Sequence, residues 1–416
     1  MKISVIGLGY IGLPTSAVLA ASDIDVIGVD TDQDVVDIIN QGEIHIVEPD
    51  LDTLVKSTVK LGRLRATKKP EKANVFMIAV PTPFKGDHEP DLSFIKSAAK
   101  AIAKVLEKGN LVILESTSPV GATEKLREWM KEERPDLAFP CFRNNSSKFD
   151  ISIAYCPERV LPGNVIHELI DNDRIIGGIT SKCGEKARDI YKLFVKGDCL
   201  ITDCRTAELT KLVENSFRDV NIAFANELSL ICDKLNINVW EAIKLSNHHP
   251  RVNILQPGPG VGGHCIAVDP WFIVNSAPTE SKLIKTARLV NDSKPEFILE
   301  RINLAVSLIP KIRSKIKIAC LGLSYKPDID DLRESPALDI AIKINLMKFD
   351  KVLLVEPNIN QMPAVFNTDV SELTSIENAL KNADIVVLLV DHKQFKSVNL
   401  NLLSSKHLID TRGTWS

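Results

Sequence analysis

The run PGPGVGGHCIAVDP, Pro257 to Pro270, sets a single cysteine, Cys265, among four glycines and three prolines. Glycine lets backbone approach a ligand closely. A thiol beside His264, with Asp269 four residues on, sits where a nucleophile would rather than inside an apolar element. Taken alone, the cysteine is open to a purely structural reading as well. Lys211, Asn215 and Arg218 follow one another at i, i+4 and i+7, so on a helix they share one stripe. A cation, an amide and a guanidinium then point the same way, although a solvated helix face has the same spacing. Together these residues suit an alcohol oxidation that goes beyond the aldehyde. An aldehyde gives up no second hydride until a nucleophile adds and makes its carbon tetrahedral. A thiolate supplies that adduct, its oxidation leaves a thioester, and water then releases the acid. Lys211 and Asn215 are the candidate donors to each developing oxyanion.

Hydride chemistry needs an acceptor, and a site for one stands at the start of the chain. GLGYIG, Gly7 to Gly12, directly follows an apolar strand pattern and opens a helical one. In that context Gly7 permits a tight turn, Gly9 lets backbone approach a pyrophosphate, and Gly12 allows close helix packing. The next strand, VIGVD, ends in Asp30, whose carboxylate suits ribose hydroxyls and repels a 2′-phosphate, so NAD is preferred over NADP. VPTP (Val80 to Pro83) and ESTSPVG (Glu115 to Gly121) follow later strands at the edge where open sheets bind ligands, which makes Thr82 and Thr117 candidate cofactor contacts. A helix cap is the other role open to each threonine.

The elements that must hold these groups are legible in outline. Apolar runs at Ile3 to Ile6, Asp25 to Val29, Val75 to Val80, Leu111 to Leu114 and Ile151 to Tyr155 alternate with helical patterns, which predicts a Rossmann-like, doubly wound parallel sheet. A second alternation, with Ile316 to Leu321, Val352 to Val355, Ile385 to Val390 and Leu408 to Ile409, predicts a similar domain at the other end. Helical periodicity fills the middle, led by a long spine helix over Thr206 to Leu235. The reading is an α/β protein of three parts: a cofactor domain over 1–202, a central helical, catalytic and dimerisation domain over 203–308, and a second Rossmann-like domain over 309–416. A helix this long with apolar residues to spare predicts a homodimer.

Composition narrows the class. With 416 residues, 44% of them hydrophobic, the chain is long enough for several cores, and a formal charge of −3 offers a polyanion no basic surface, so nucleic acid is not an expected partner. No apolar run approaches the roughly 20 residues that span a bilayer. The strand pattern beginning at Ile3 leaves no room for a signal peptide, which points to the reducing cytoplasm. The eight cysteines lack paired metal-ligand spacing, so no metal is expected and most should be small buried hydrophobes.

GLGYIG, VPTP, ESTSPVG, YCPERVLPGN, ELTKLVENSFRDVNIAFANELSLIC, GPGVGGHC and GLSYKPDIDDLRESP follow one another in an order that resembles the UDP-glucose/GDP-mannose dehydrogenase family over nearly the whole chain. The resemblance implies an NAD-dependent enzyme that oxidises the C6 alcohol of a UDP-sugar to the uronate. In it Cys265 is the nucleophile, Lys211 the general acid/base, Asn215 and Asp269 its assistants, and Glu158 the carboxylate for thioester hydrolysis. It implies sugar-nucleotide contacts at Arg159, Val160, Lys211, Asn215, Arg218, His249, Arg251, Gly262 and Lys326. Implied cofactor contacts are Tyr10, Ile11, Asp30, Thr82 and Thr117, with Arg333 of the last domain reaching the NAD. Val261 and Val268 depart from the F-G-G-x-C-x-x-K-D of the UDP-glucose branch, and HHPRVN (His248 to Asn253) is similar to the N-acetylhexosamine branch. Within that branch the overall resemblance, not these residues, implies UDP-N-acetyl-D-mannosamine as substrate, for a surface polysaccharide such as enterobacterial common antigen. The residues alone do not choose between C2 epimers. The competing readings are a UDP-N-acetylglucosamine or UDP-glucose 6-dehydrogenase, a single-step hydroxyacid dehydrogenase, which has no use for Cys265 or a second α/β domain, and a noncatalytic nucleotide-sensing module.

Overall fold

Strands form where short runs of β-branched and aliphatic residues are buried on both faces, as in VFMI and LVIL, and helices form where apolar residues recur every three or four positions. A computed structural model describes every residue except 143–147, 162, 264 and 416. It divides the chain into two compact units, Met1–Glu214 and Asn215–Ser416.

The first unit runs β1 (Lys2–Ile6), α1 (Gly12–Ala21), β2 (Asp25–Val29), α2 (Gln33–Asn40), α3 (Leu51–Lys60), β3 (Leu64–Thr67), β4 (Val75–Ile78), a two-stranded ribbon of β5 (Phe84–Lys85) and β6 (Glu89–Pro90), α4 (Ser93–Ala103), β7 (Leu111–Leu114), α5 (Ala122–Glu133), β8 (Ser152–Tyr155), α6 (Val165–Asp171), β9 (Arg174–Gly178), α7 (Ser181–Tyr191) and β10 (Cys199–Asp203). Eight strands make one sheet in the order β10-β9-β8-β7-β4-β1-β2-β3. The order reverses between β1 and β4, and the loops after these strands are GLGYIG and VPTP, so both motifs lie at the switch point of the sheet. One joint departs from the all-parallel expectation. β8 and β9 pair antiparallel, Ala154 opposite Gly178 and Tyr155 opposite Gly177. Apolar residues fill both faces, with Ile3 and Val5 in one core and Ile6 and Phe76 in the other.

The helix α8 (Cys204–Leu235) begins in the first unit, and the boundary falls within it. At 32 residues it is about 48 Å long. The second unit continues with α9 (Val239–Ser246), α10 (Asp269–Ser276), α11 (Lys282–Leu308), β11 (Lys317–Leu321), α12 (Pro336–Asn345), β12 (Lys351–Val355), β13 (Ser371–Leu373), α13 (Ile376–Asn382), β14 (Ile385–Leu388), α14 (Lys393–Lys396) and β15 (His407–Asp410). Its five strands form a parallel sheet in the order β13-β12-β11-β14-β15, with GLSYKP after β11 at the switch point. Among the described residues no helix is long and apolar enough to cross a membrane.

Candidate active site

The glycine loop is built as the spacing demands. Gly7 has φ +91°, and a Cβ there would lie 2.7 Å from the Ala79 carbonyl oxygen. At Gly12 a Cβ would lie 1.7 Å from the Gly7 carbonyl oxygen, so the turn closes onto α1 only without a side chain. Gly9 differs: a Cβ there meets nothing within 4 Å. Protein packing does not require glycine at that position, whereas an anion approaching the backbone does. α1 has no side-chain cap and no acidic residue in its first turn, so the positive end of its dipole is uncompensated there, although Leu13 N–H already donates to the Gly9 carbonyl and Pro14 has no N–H. Asp30 closes the site at the end of β2. Its Oδ2 accepts from Leu8 N–H at 3.0 Å and its Oδ1 from Asp32 N–H at 3.0 Å, and each oxygen keeps a lone pair for a ribose hydroxyl. These residues fit a dinucleotide. Tyr10 is exposed and Ile11 lies one residue before α1. Thr82 and Thr117 come together, the Thr82 hydroxyl donating to the Thr117 carbonyl at 2.6 Å. Neither is a helix cap, since α4 and α5 are entered from Leu92 and Gly121.

A second cluster of the first unit surrounds the PER motif. Glu158 is buried; its Oε2 pairs with Arg174 Nη1 at 2.7 Å, and its Oε1 accepts from Arg159 N–H at 2.5 Å. The Arg159 guanidinium donates to Glu214 Oε1 and to the Asp173 carbonyl, both at 2.6 Å. Val160 packs against the core on one face of the sheet. Close by, the Tyr191 hydroxyl donates to Glu115 at 2.6 Å, and burial pushes the Glu115 carboxyl up to about 7. Burial also pushes the Cys156 thiol up to about 12, which keeps it protonated and inert.

On α8 two of the three residues of the polar stripe are buried while much of the apolar one is exposed. Lys211 and Asn215 are each 8% exposed, whereas Leu209, Val213, Phe217, Phe224 and Ile231 are between 43% and 69% exposed. Arg218, on the same stripe, is exposed. The helix is itself anchored by Glu208, whose carboxylate accepts from Gly121 N–H, Thr123 N–H and the Thr123 hydroxyl, so that it caps α5 from a distance.

In the second unit Cys265 is exposed, and its carbonyl accepts from Val268 N–H and Asp269 N–H, opening the turn into α10. Asp269, 3% exposed, accepts from Asn215 Nδ2 at 2.6 Å. A thiol thus stands one turn from a buried amide–carboxylate pair. His264 lies outside the described residues. Gly258, where the nucleophile's loop begins, donates its N–H to Asn226 Oδ1; Asn226 donates to Asn291, and Asn291 to Asp219, which also holds Arg288. The other end of the loop rests on the GLSYKPDIDDLRESP segment, Gly263 N–H donating to the Glu334 carbonyl. A Cβ at Gly262 would lie 2.3 Å from that carbonyl oxygen and 2.6 Å from Pro336 Cδ, so close packing is reason enough for this glycine.

Lys326 is exposed on the same segment, its carbonyl accepting from the Ser324 hydroxyl, and Arg333 is paired with Asp331. Beneath them Glu356, at the end of β12, accepts from Leu323 N–H at 2.7 Å and from buried His392 Nε2 at 3.0 Å. His249 and Arg251 lie in the exposed turn after α9, Arg251 N–H donating to His249 Nδ1. Arg174 and Tyr191 carry no motif, and Glu208, although it opens the ELTKLVENSFRDVNIAFANELSLIC run, is not singled out by spacing.

Residues 1–195 match the NAD binding domain of the UDP-glucose/GDP-mannose dehydrogenase family, 205–293 its central domain and 319–416 its UDP binding domain. The chain is 63% identical to a UDP-N-acetyl-D-mannosamine dehydrogenase of Campylobacter jejuni, over 95% of this chain and 97% of that one. It is 59% identical to an NDP-N-acetyl-D-galactosaminuronic acid dehydrogenase of Ralstonia nicotianae, over 100% and 96%. Among solved structures, a UDP-D-ManNAc dehydrogenase from Pyrococcus horikoshii superposes with a TM-score of 0.87 at 40% identity, covering 100% of this chain and 96% of that one.

Proposed function

The chain belongs to the UDP-glucose/GDP-mannose dehydrogenase family, and from that premise we propose that it is a UDP-N-acetyl-D-mannosamine 6-dehydrogenase. The observation that carries the reading is Cys265, exposed in a glycine loop one turn from the buried Asn215–Asp269 pair. NAD supplies the hydride acceptor, two equivalents for each sugar. Lys211 takes the proton of the C6 hydroxyl as the first hydride leaves. Cys265 then adds to the aldehyde, and Lys211 with Asn215 stabilises the oxyanion of the thiohemiacetal, with Asp269 holding the Asn215 amide. After the second hydride leaves, Glu158 takes a proton from the water that opens the thioester. The uronate departs, and the electron pair returns to the Cys265 sulfur.

Arg159, Val160, Arg218, His249, Arg251, Gly262 and Lys326 bind the sugar nucleotide, and Arg333 reaches the cofactor. The three-part division at 202 and 308 belongs to the same proposal, which is supported by the spans of the three family domains. So does a cytoplasmic enzyme acting on precursors of a surface polysaccharide such as enterobacterial common antigen. A homodimer completes it, supported by the exposed apolar stripe of α8.

The Ralstonia relative favours a second reading, an NDP-N-acetyl-D-galactosaminuronic acid dehydrogenase. One assay tests both. Purified protein receives UDP-N-acetylmannosamine, UDP-N-acetylglucosamine, UDP-N-acetylgalactosamine or UDP-glucose with excess NAD, and NADH is counted against sugar consumed. Two NADH per UDP-N-acetylmannosamine is the expected result. One per sugar removes the covalent scheme, and faster turnover of the galacto sugar moves the assignment to the second reading.

A further inference from the structure

The loop after β8 and the helices α6 and α7 converge on one buried guanidinium at the start of β9. Arg174 is the first residue of β9, its side chain only 2% exposed. Its Nη1 donates to Glu158 Oε2 at 2.7 Å and its Nη2 to the Leu169 carbonyl at 2.9 Å. The guanidinium carbon lies 5.7 Å from the ring centroid of Tyr191, the last residue of α7. That tyrosine in turn donates its hydroxyl to Glu115, the residue following β7.

We infer that Arg174 is a positioning residue for the hydrolytic half of the reaction, fixing the Glu158 carboxylate as an oriented anion, with the Tyr191–Glu115 pair bracing Arg174 from the other side. The inference rests on the reading of Glu158 given above. Stability alone does not call for the arrangement, because a buried ion pair gains little over an apolar filling of the same volume. What the pair provides is orientation. Arg174 Nη1 binds one oxygen of Glu158 and the Arg159 N–H binds the other, so the carboxylate plane is fixed while each oxygen keeps a lone pair for a proton. In the step concerned, the water oxygen bonds to the thioester carbon, the water proton passes to Glu158, and the carbon–sulfur bond breaks with its pair going to Cys265. Neither hydride transfer involves Glu158. Disturbing Arg174 therefore slows the last step and spares the first two.

The test uses R174K, which keeps the charge without the fork, with R174Q, Y191F and E158Q. Rapid mixing measures the NADH burst, steady state gives kcat and KM, and intact-protein mass spectrometry shows the acyl group on Cys265. For R174K and R174Q the expected result is a burst within threefold of the wild-type amplitude, kcat lower by about 100-fold, KM for the UDP-sugar little changed, and an acyl adduct present at steady state. Y191F shows the same pattern more weakly. A kcat within twofold of wild type for both arginine variants overturns the inference, as does a parallel loss of burst and kcat with no adduct. Failure of both variants to fold also overturns it, since Arg174 is then a stability residue. E158Q separates the two levels. If it accumulates adduct and R174K does not, Arg174 loses its role and Glu158 keeps it. If neither does, it is the reading of Glu158 that falls.

Discussion

Replacing Gly9 with alanine should weaken cofactor binding without destabilising the protein, whereas the same change at Gly12 should damage both. At Gly9 the added methyl meets no protein atom within 4 Å, and the backbone is not in the left-handed region. The folded state is expected to change by less than about 0.5 kcal/mol, with a small gain from the stiffer unfolded chain. The space the methyl enters is where a pyrophosphate must approach the loop. Losing one charge-assisted hydrogen bond to that anion corresponds to roughly 1.5–3 kcal/mol, or about 10- to 150-fold in Kd for NAD. At Gly12 the methyl would sit 1.7 Å from the Gly7 carbonyl oxygen, so α1 has to move off the sheet. Thermal unfolding with and without NAD, together with calorimetric titration, reads both quantities. An NAD Kd within threefold of wild type for G9A, or a fall of several degrees in its cofactor-free Tm, would refute the reasoning.

Two further outcomes are open to measurement. Burial holds the Glu115 carboxyl at about 7 in the folded state against 4.5 for the ordinary group. Its contribution is therefore full below pH 4.5 and is lost as pH rises through 7, a change of about 3 kcal/mol. E115Q keeps an acceptor for the Tyr191 hydroxyl and does not titrate, so its Tm relative to wild type should climb between pH 5 and pH 7 and level off above; a pH-independent difference excludes this titration. F217E places a charge in the centre of the apolar stripe of α8, where Phe217 is 69% exposed. Sedimentation should show wild type at about twice the 45.9 kDa of one chain and F217E shifted toward the single chain. A wild-type protein that sediments as one chain ends the dimer proposal.

The parts of the fold that could be read from residues are those where burial leaves one kind of side chain possible. Asp25 to Val29 and Leu111 to Leu114 are strands within those bounds because a core packs against each face of the sheet there. Leu64–Thr67 and Cys199–Asp203 lie at the two edges, where partly exposed strands mix polar and apolar residues and leave no clear run. The antiparallel joint at β8 and β9 was not legible either, since apolar content carries no strand direction. In the site, Gly7, Gly9, Gly12, Asp30 and Cys265 stand out because their chemistry restricts residue type. Gly262 was legible as a glycine but not for its packing against Glu334 and Pro336, which lie about 70 residues further along the chain. Arg174 reads in sequence as an ordinary charged strand end, and only its burial beside Glu158 shows otherwise.

Asp30 and Glu356 occupy corresponding places in two sheets, each tying an acidic side chain to the peptide nitrogen two residues past its sheet's first strand. The first remains partly open to solvent, while the second is saturated by Leu323, Ser324, Asn358 and His392 and sealed from water. A latch of common design has thus taken two trades. At the amino end it stays available to grip a sugar ring. At the carboxyl end it has become internal carpentry, so the corresponding place in that sheet offers no free carboxylate edge to a ribose.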